Sequence, residues 1–343
     1  MELYDLIESL NPNQENILLT CLDVPDKGRK ILFSDQKCLY DSMEKEEDSS
    51  MWIEMLDSKK QGLLQYNDKS YYAESLGSEK HIVICGGGHV SMPVITLGIM
   101  MGFKVTVIED RPSFADNARR QGATEVICDN FEHALEQIEG NHDTYFVIVT
   151  RGHRYDKECL RSILNKPNAY VGMIGSRRRV GIVKKNLEEE GYSREKLEGV
   201  FTPIGLDIGA ETPEEIGIAI MAEIIQVKNS QKRNYGFPAE IKRALRGIRE
   251  AGESMVLATI IQRQGSAPRE VGTKMLIRRD GTSIGTIGGG CVEADVMLRG
   301  RRMLQLKDKE TKVIHVDLRG SGLAEEDGMV CGGIIDVLLE YIE

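Results

Sequence analysis

The chain has 343 residues, of which 41% are hydrophobic and 29% charged, and carries a formal net charge of -10. That length supports two or three domains with true cores, while the acidic balance argues against the broad basic face of a nucleic-acid binder and against docking on an anionic membrane. No stretch approaches the roughly 18 unbroken apolar residues of a spanning helix. The N-terminus lacks a leader's apolar segment, and seven scattered cysteines without a C-x-x-C indicate reduced thiols in a cytoplasmic setting rather than a disulfide framework or structural zinc.

The first segment, 1–78, shows only short apolar runs, Ile17-Leu18-Leu19, Ile31-Leu32-Phe33 and Gly62-Leu63-Leu64. Glu44 to Asp48 reads as a solvated loop or helix face, and no chemistry stands out. Segment 79–228 alternates strand and helix patterns. His81–Cys85, Lys104–Glu109, Tyr145–Thr150 and Tyr170–Ile174 are continuous apolar strands, the mark of a parallel sheet covered on both faces. Thr212-Pro213-Glu214-Glu215 forms a capping box with proline at the first helical position, followed by the apolar run Ile216–Val227.

Residues 229–237 read as a polar linker. In 238–343 a helix carries Ile241, Leu245 and Ile248 on one face. Strands are predicted at Met255–Ile261, Lys274–Ile277, Ser283–Ile287, Thr311–Val316 and Ile334–Tyr341, with a hairpin at Asp280-Gly281 and a helix over Val292–Leu306.

Gly86-Gly87-Gly88-His89-Val90-Ser91 joins a strand to a helix, where a glycine turn lets a pyrophosphate reach the backbone and the helix N-terminus. Ser91 replaces the third glycine of the fingerprint. Glu109-Asp110 ends the next strand, where a ribose-binding carboxylate belongs, and Arg111 leaves NAD versus NADP open. The alternative is a Rossmann domain without a dinucleotide. Gly86, Gly88, His89, Asp110 and Arg111 are the candidate contacts. Gly175, Ser176 and Arg177 offer a second anion site at a strand end, although Arg177-Arg178-Arg179 also reads as a solvated helix face. His153 and His89 are the histidines placed for acid–base work, although a lone loop histidine is more often merely solvent-exposed.

Three glycine loops crowd the last segment: Gly265-Ser266-Ala267-Pro268-Arg269, Gly285 to Glu293 and Gly328 to Gly333. Such loops suit close backbone approach to one ligand, an anion above all. Ser266, Arg269, Gly288, Gly289, Gly290 and Glu293 are the candidate binding residues. Cys291, near a helix N-terminus, and Cys331 are candidate soft-metal or sulfur-handling thiols; buried inert thiols in a tight-turn scaffold are the alternative.

The first and last segments also invite alignment. Glu15–Thr20 lies on Glu253–Thr259, Lys30–Asp35 on Lys274–Asp280, and Tyr71-Tyr72-Ala73-Glu74 on Val337-Leu338-Leu339-Glu340. Residues 1–78 would then be a degenerate copy that lost its glycine loops, although convergent strand patterning accounts for the match as well.

Together, GSAPREVGTKM (265–275), GTIGGGCVE (285–293), MVCGG (329–333), GGGHV (86–90), VIEDRP (107–112), VGMIGSRRR (171–179) and PIGLDIGAETPEEIGIAIMAEI (203–224) resemble the XdhC/CoxI family of xanthine dehydrogenase accessory factors over about 80–343. The chain departs from the family in placing the marked small domain last, and in reading RGHRYD after the YFVIVT strand where a Thr-His-Asp type sequence is usual. The resemblance implies an α/β protein with a Rossmann-like parallel-sheet domain and a small α+β glycine-rich domain. It implies a chaperone, rather than an enzyme, that binds molybdopterin-type molybdenum cofactor, supports its sulfuration and delivers it to a xanthine dehydrogenase-like hydroxylase, with a cysteine desulfurase as a further partner. An oligomer would help shelter an oxygen-sensitive ligand. The competing expectations are an NAD(P)-dependent oxidoreductase and a nucleotide-sensing regulator of cofactor delivery.

Overall fold

A computed structural model describes residues 3–44, 52, 61–230, 236–267, 269–317 and 333–343. The chain divides into two compact units, Ser78–Arg233 and a second made from Met1–Gly77 together with Asn234–Glu343. The first and last segments of the sequence therefore share one unit.

The N-terminal part of that unit holds α1 (Leu3–Ser9) and the strands β1 (Asn16–Cys21), β2 (Lys30–Ser34), β3 (Lys37–Asp41), β4 (Gly62–Tyr66) and β5 (Lys69–Ser75). They pair antiparallel in the order β3-β2-β1-β5-β4. The three short runs noted in the sequence are β1, β2 and β4. Burial of both faces of β1 explains why its pattern is continuous rather than alternating. The charged stretch after Glu44 lies outside the described residues.

The Ser78–Arg233 unit runs β6 (His81–Cys85), α2 (Ser91–Met100), β7 (Lys104–Ile108), α3 (Pro112–Arg120), β8 (Glu125–Ile127), α4 (Phe131–Glu136), β9 (Thr144–Ile148), α5 (His153–Ile163), β10 (Tyr170–Met173), α6 (Arg177–Glu189), α7 (Arg194–Glu198) and α8 (Pro213–Ser230). All five strands are parallel, in the order β10-β9-β6-β7-β8. The first strand sits centrally and the chain winds outward both ways, so the order reverses between β6 and β9. Two apolar layers flank the sheet, one around Val83, Phe146 and Leu160, the other around Ile82, Val105 and Ile220. The predicted capping box forms in both directions: the Thr212 amide donates to Glu215 Oε2 at 3.0 Å and the Glu215 amide to Thr212 Oγ1 at 3.3 Å.

The chain then returns to the first unit with α9 (Ala239–Ala251), β11 (Met255–Gln264), β12 (Lys274–Ile277), β13 (Ser283–Gly285), α10 (Gly290–Leu306), β14 (Lys312–Asp317) and β15 (Ile334–Ile342). The order is β13-β12-β11-β15-β14, again antiparallel. β11 runs three residues past the expected Ile261 across an irregularity at Ile260–Gln262. β13 stops at Gly285, two residues early, because Gly285 at φ +76° leaves strand geometry. The Asp280-Gly281 hairpin forms, with Gly281 at φ +89° and the Arg278 amide bonded to Thr282 O at 2.9 Å.

Candidate functional site

Parallel strands with helical crossovers bring every following loop to one edge. In the Ser78–Arg233 unit, residues 86–90 leave β6, 109–111 leave β7, 149–152 leave β9 and 174–176 leave β10. The sequence-predicted Gly86, Gly88, His89, Asp110, Arg111, Gly175, Ser176 and Arg177 thus share the carboxyl edge, astride the point where strand order reverses.

Gly86 takes φ +116°, and a Cβ there would stand 2.5 Å from the Val149 carbonyl oxygen. At Gly87 a Cβ would come within 3.0 Å of the Phe114 carbonyl oxygen. Gly88 differs, since nothing lies within 4 Å of the place its Cβ would take. That open cradle is where a ligand's phosphates can meet the backbone, and His89 is exposed beside it. Ser91, fully buried, donates its hydroxyl to the Gly86 carbonyl at 2.5 Å, so the residue replacing the third glycine ties the loop shut from below.

The strand-end acids separate. β7 stops at Ile108, so Glu109 rather than Asp110 faces the glycine loop: it is 1% exposed and Oε2 accepts the Gly87 N–H at 2.7 Å. Arg111 donates to it from Nε at 2.8 Å and from Nη2 at 3.0 Å, its guanidinium stacking over Phe114 at 3.6 Å. Asp110 instead takes a two-pronged pair from Arg151, with Nη2 to Oδ2 at 2.8 Å. Hydrogen bonding from Arg151 above all holds the Asp110 carboxyl below its usual range. Of the acidic pair, the sequence singles out Asp110 rather than Glu109 as the contact, and Arg151 is not among its candidates. The acid–acid–arginine run was visible, but which carboxylate turns inward depends on where the strand ends. At the β10 end, Ser176 and Arg177–Arg179 are exposed at the start of α6, whose Val180, Val183 and Leu187 face the core. His153 opens α5.

In the other unit the C-terminal sheet turns several loops to one end too: the end of β11 pairs with the start of β15 (Gln264 with Ile334), and the start of β12 lies beside the end of β13 (Met275 with Gly285) at the level of Ala258–Thr259. Ser266 and Arg269 are exposed there. Gly333 backs onto this loop so closely that a Cβ would lie 2.3 Å from the Ser266 carbonyl oxygen. Gly288, Gly289 and Gly290 have φ of +130°, +75° and +67°, a run that other residues rarely adopt. Their amides are partly engaged. Gly288 N–H donates to Thr286 Oγ1 at 3.1 Å and Gly289 N–H to Glu293 Oε2 at 3.0 Å, and the Thr286 hydroxyl donates to the same Oε2 at 2.6 Å. Glu293 therefore bonds back to the residue that precedes its own helix. Cys291 is the second residue of α10; Cys331 lies outside the described residues. Among the described residues no group of three or more histidine, cysteine or acidic side chains is arranged to hold a metal ion, and no helix is long and apolar enough to cross a membrane.

A doubly wound sheet with an open glycine turn, joined to an antiparallel unit with glycine loops at one end of its C-terminal sheet, defines a two-part α/β protein. Residues 82–224 match the XdhC Rossmann domain and residues 248–317 match the XdhC and CoxI family. The chain belongs to the XdhC/CoxI family. It is 32% identical over 155 residues to the uncharacterized protein YqeB of Escherichia coli, covering 45% of this chain and 28% of that one. It is 26% identical to a probable xanthine dehydrogenase component of Bacillus subtilis, over 46% of each, and 33% identical over 94 residues to the molybdenum cofactor insertion chaperone PaoD of Escherichia coli, over 27% of this chain and 28% of that one. The chain thus matches less than half the length of these relatives. A xanthine dehydrogenase structure from Bacillus halodurans shares the fold, with a TM-score of 0.53 and 23% identity over 67% of this chain and 66% of that one.

Proposed function

We propose that this protein serves molybdenum-cofactor maturation: it binds a molybdopterin-type cofactor as cargo along the glycine-loop edge of its C-terminal sheet, supports sulfuration and hands it to a xanthine dehydrogenase-like hydroxylase. The observation that carries the reading is the convergence of the 265–270 loop, the 286–290 loop and Gly333 on one sheet edge, with Ser266 and Arg269 exposed on it. A pterin phosphate suits Arg269, Ser266 and the amides at the start of α10. A thiophilic metal centre suits Cys331 or Cys291, with Cys331 favoured by its MVCGG frame. The names of two relatives, a cofactor insertion chaperone and a probable xanthine dehydrogenase component, support this assignment. A cysteine desulfurase would be the sulfur donor.

Anaerobic purification from molybdopterin-producing cells tests it. The expected result is bound pterin and molybdenum on the parent protein, lost in Cys331→Ala and weakened in Arg269→Ala. A parent protein free of pterin but carrying NAD would overturn the reading. The open cradle over Gly88 favours a second role, nucleotide sensing, with the adenine dinucleotide phosphates on the 86–90 loop and a ribose near Glu109. That role requires reciprocal coupling, so pterin affinity should shift when nucleotide is added; unchanged affinity would remove it.

A further inference from the structure

We infer that residues 1–77 and 234–343 are two copies of one domain joined as an internal two-fold pair, in which only the C-terminal copy keeps an open glycine-loop edge. The surface by which that copy would meet a second copy of itself is then already covered, by this chain's own N-terminus.

Strand order is one basis. β3-β2-β1-β5-β4 and β13-β12-β11-β15-β14 are the same walk through a sheet, and the registers about the central strands coincide, although β2–β3 carries an irregularity at Leu32–Phe33 that β12–β13 lacks. Leu18 faces Leu32 and Glu74, as Leu257 faces Leu276 and Glu340. Identical strand order alone can converge; identical register across the pairs is far more demanding, since a one-residue slip sends every side chain to the opposite face.

The turn between the first two strands agrees in detail. Gly28 at φ +88° and Gly272 at φ +92° donate to Cys21 O and Ile260 O at 2.8 and 2.7 Å. The Arg29 and Thr273 amides in turn donate to Asp26 O and Glu270 O at 2.8 and 3.2 Å. The N-terminal segment thus keeps the turn glycine outside the three glycine loops.

The packing is reciprocal. Lys274 Nζ meets Glu74 Oε1 at 2.5 Å, both nearly inaccessible, and Lys30 Nζ meets Glu340 Oε1 at 2.7 Å. By register Lys30 corresponds to Lys274 and Glu74 to Glu340, so each copy supplies the lysine for the other's glutamate. Contact of i with j and of j with i is the signature of an isologous interface. The shared core between the sheets likewise includes equivalents, Leu18 with Leu257 and Leu32 with Leu276. Each copy also has its own outer core, where α10 covers one sheet and Trp52 lies against the other.

The copies differ at the loop edge. Where the C-terminal copy has Thr273 and Gly285, the N-terminal copy has Arg29 and Asp41, paired through Arg29 Nε and Asp41 Oδ1 at 2.9 Å. Arg29 is 2% exposed. A buried ion pair thus stands where the other copy opens into its glycine loop.

Trp52, the chain's only tryptophan, reports on this unit from the N-terminal core, so thermal unfolding of the full chain followed by its fluorescence is the test. Replacing residues 28–41 by a second copy of 272–285, which removes Arg29 and Asp41 together, should leave a single transition with a Tm within about 5 °C of the parent. The same replacement taken one residue out of register, 271–284, should abolish it. Glu74→Gln and Glu340→Gln should each lower the Tm by on the order of 10 °C. An in-register graft no more stable than the slipped one overturns the proposal, as does a Glu340→Gln protein whose Trp52 transition does not move.

Discussion

The Glu109 carboxylate accepts the Gly87 N–H at 2.7 Å, so the acid at the end of the second parallel strand and the glycine loop at the end of the first form one hydrogen-bonded unit. Arg111 and Arg151 balance the charge, lying 2.8 and 3.6 Å from Oε1. Removing the carboxylate leaves two guanidiniums facing each other and an orphan amide. Glu109→Ala should therefore destabilise the Rossmann unit by about 2–3 kcal/mol, less than a fully buried pair because both arginines are a third exposed. Glu109→Gln keeps an acceptor for Gly87 and should lose about half as much. Urea unfolding followed by circular dichroism measures both, and equal losses would mean that charge, not the Gly87 bond, dominates.

Ser91 tests the altered fingerprint. Its buried hydroxyl donates to Gly86 O at 2.5 Å, so Ser91→Ala leaves that carbonyl without this donor and should cost about 1–2 kcal/mol. Ser91→Gly restores the usual glycine yet should be worse still, because glycine in a first helical turn adds chain entropy to the loss. A Ser91→Gly protein as stable as the parent would show that the hydroxyl is incidental.

His81 gives the Rossmann unit a pH dependence. Burial, and then Lys104, push its imidazole down to about 4, with Glu125 opposing, while Nε2 lies 2.8 Å from Thr106 Oγ1. A group whose folded pKa is depressed binds its proton more readily when unfolded. Its contribution is complete above the ordinary value near 6.5 and is lost as pH falls towards 4. His81→Gln should flatten the fall in urea midpoint between pH 7 and pH 4.5 relative to the parent. Parallel curves would place the acid sensitivity elsewhere.

Glu293 closes the 286–290 loop through Thr286 and Gly289. Glu293→Gln should lower the Tm of its unit modestly, by about 1 kcal/mol equivalent, as for a helix cap. It should also raise affinity for an anion at the start of α10 by removing a competing negative charge. Phosphate titration followed by calorimetry reads the second effect, and tighter phosphate binding in the parent would contradict it.

Much was legible in the sequence because it is local. Continuous apolar runs separated by helical patterns fix a parallel sheet, Thr212-Pro213-Glu214-Glu215 fixes a helix start, and a glycine-rich run after His81–Cys85 fixes where a loop must bend. Each depends on residues within a turn or two of each other. The candidate loops were found the same way, since glycine at positive φ is a backbone requirement written residue by residue. Element ends were less legible: β7 ends one residue before Glu109, and that single residue decides which acid meets Gly87.

The alternation of strands and helices, the glycine turns and the family motifs can all be read along the chain without its fold. Three relationships cannot: that residues 1–77 and 234–343 share one unit, that Lys274 meets Glu74 and Lys30 meets Glu340, and that Glu109 rather than Asp110 turns inward. The ion pairs join residues as many as 310 positions apart, Lys30 and Glu340 being the extreme. No periodicity records such a pairing, because the attraction that offsets the cost of desolvating the two charges arises only after both sheets have formed and their registers have been set.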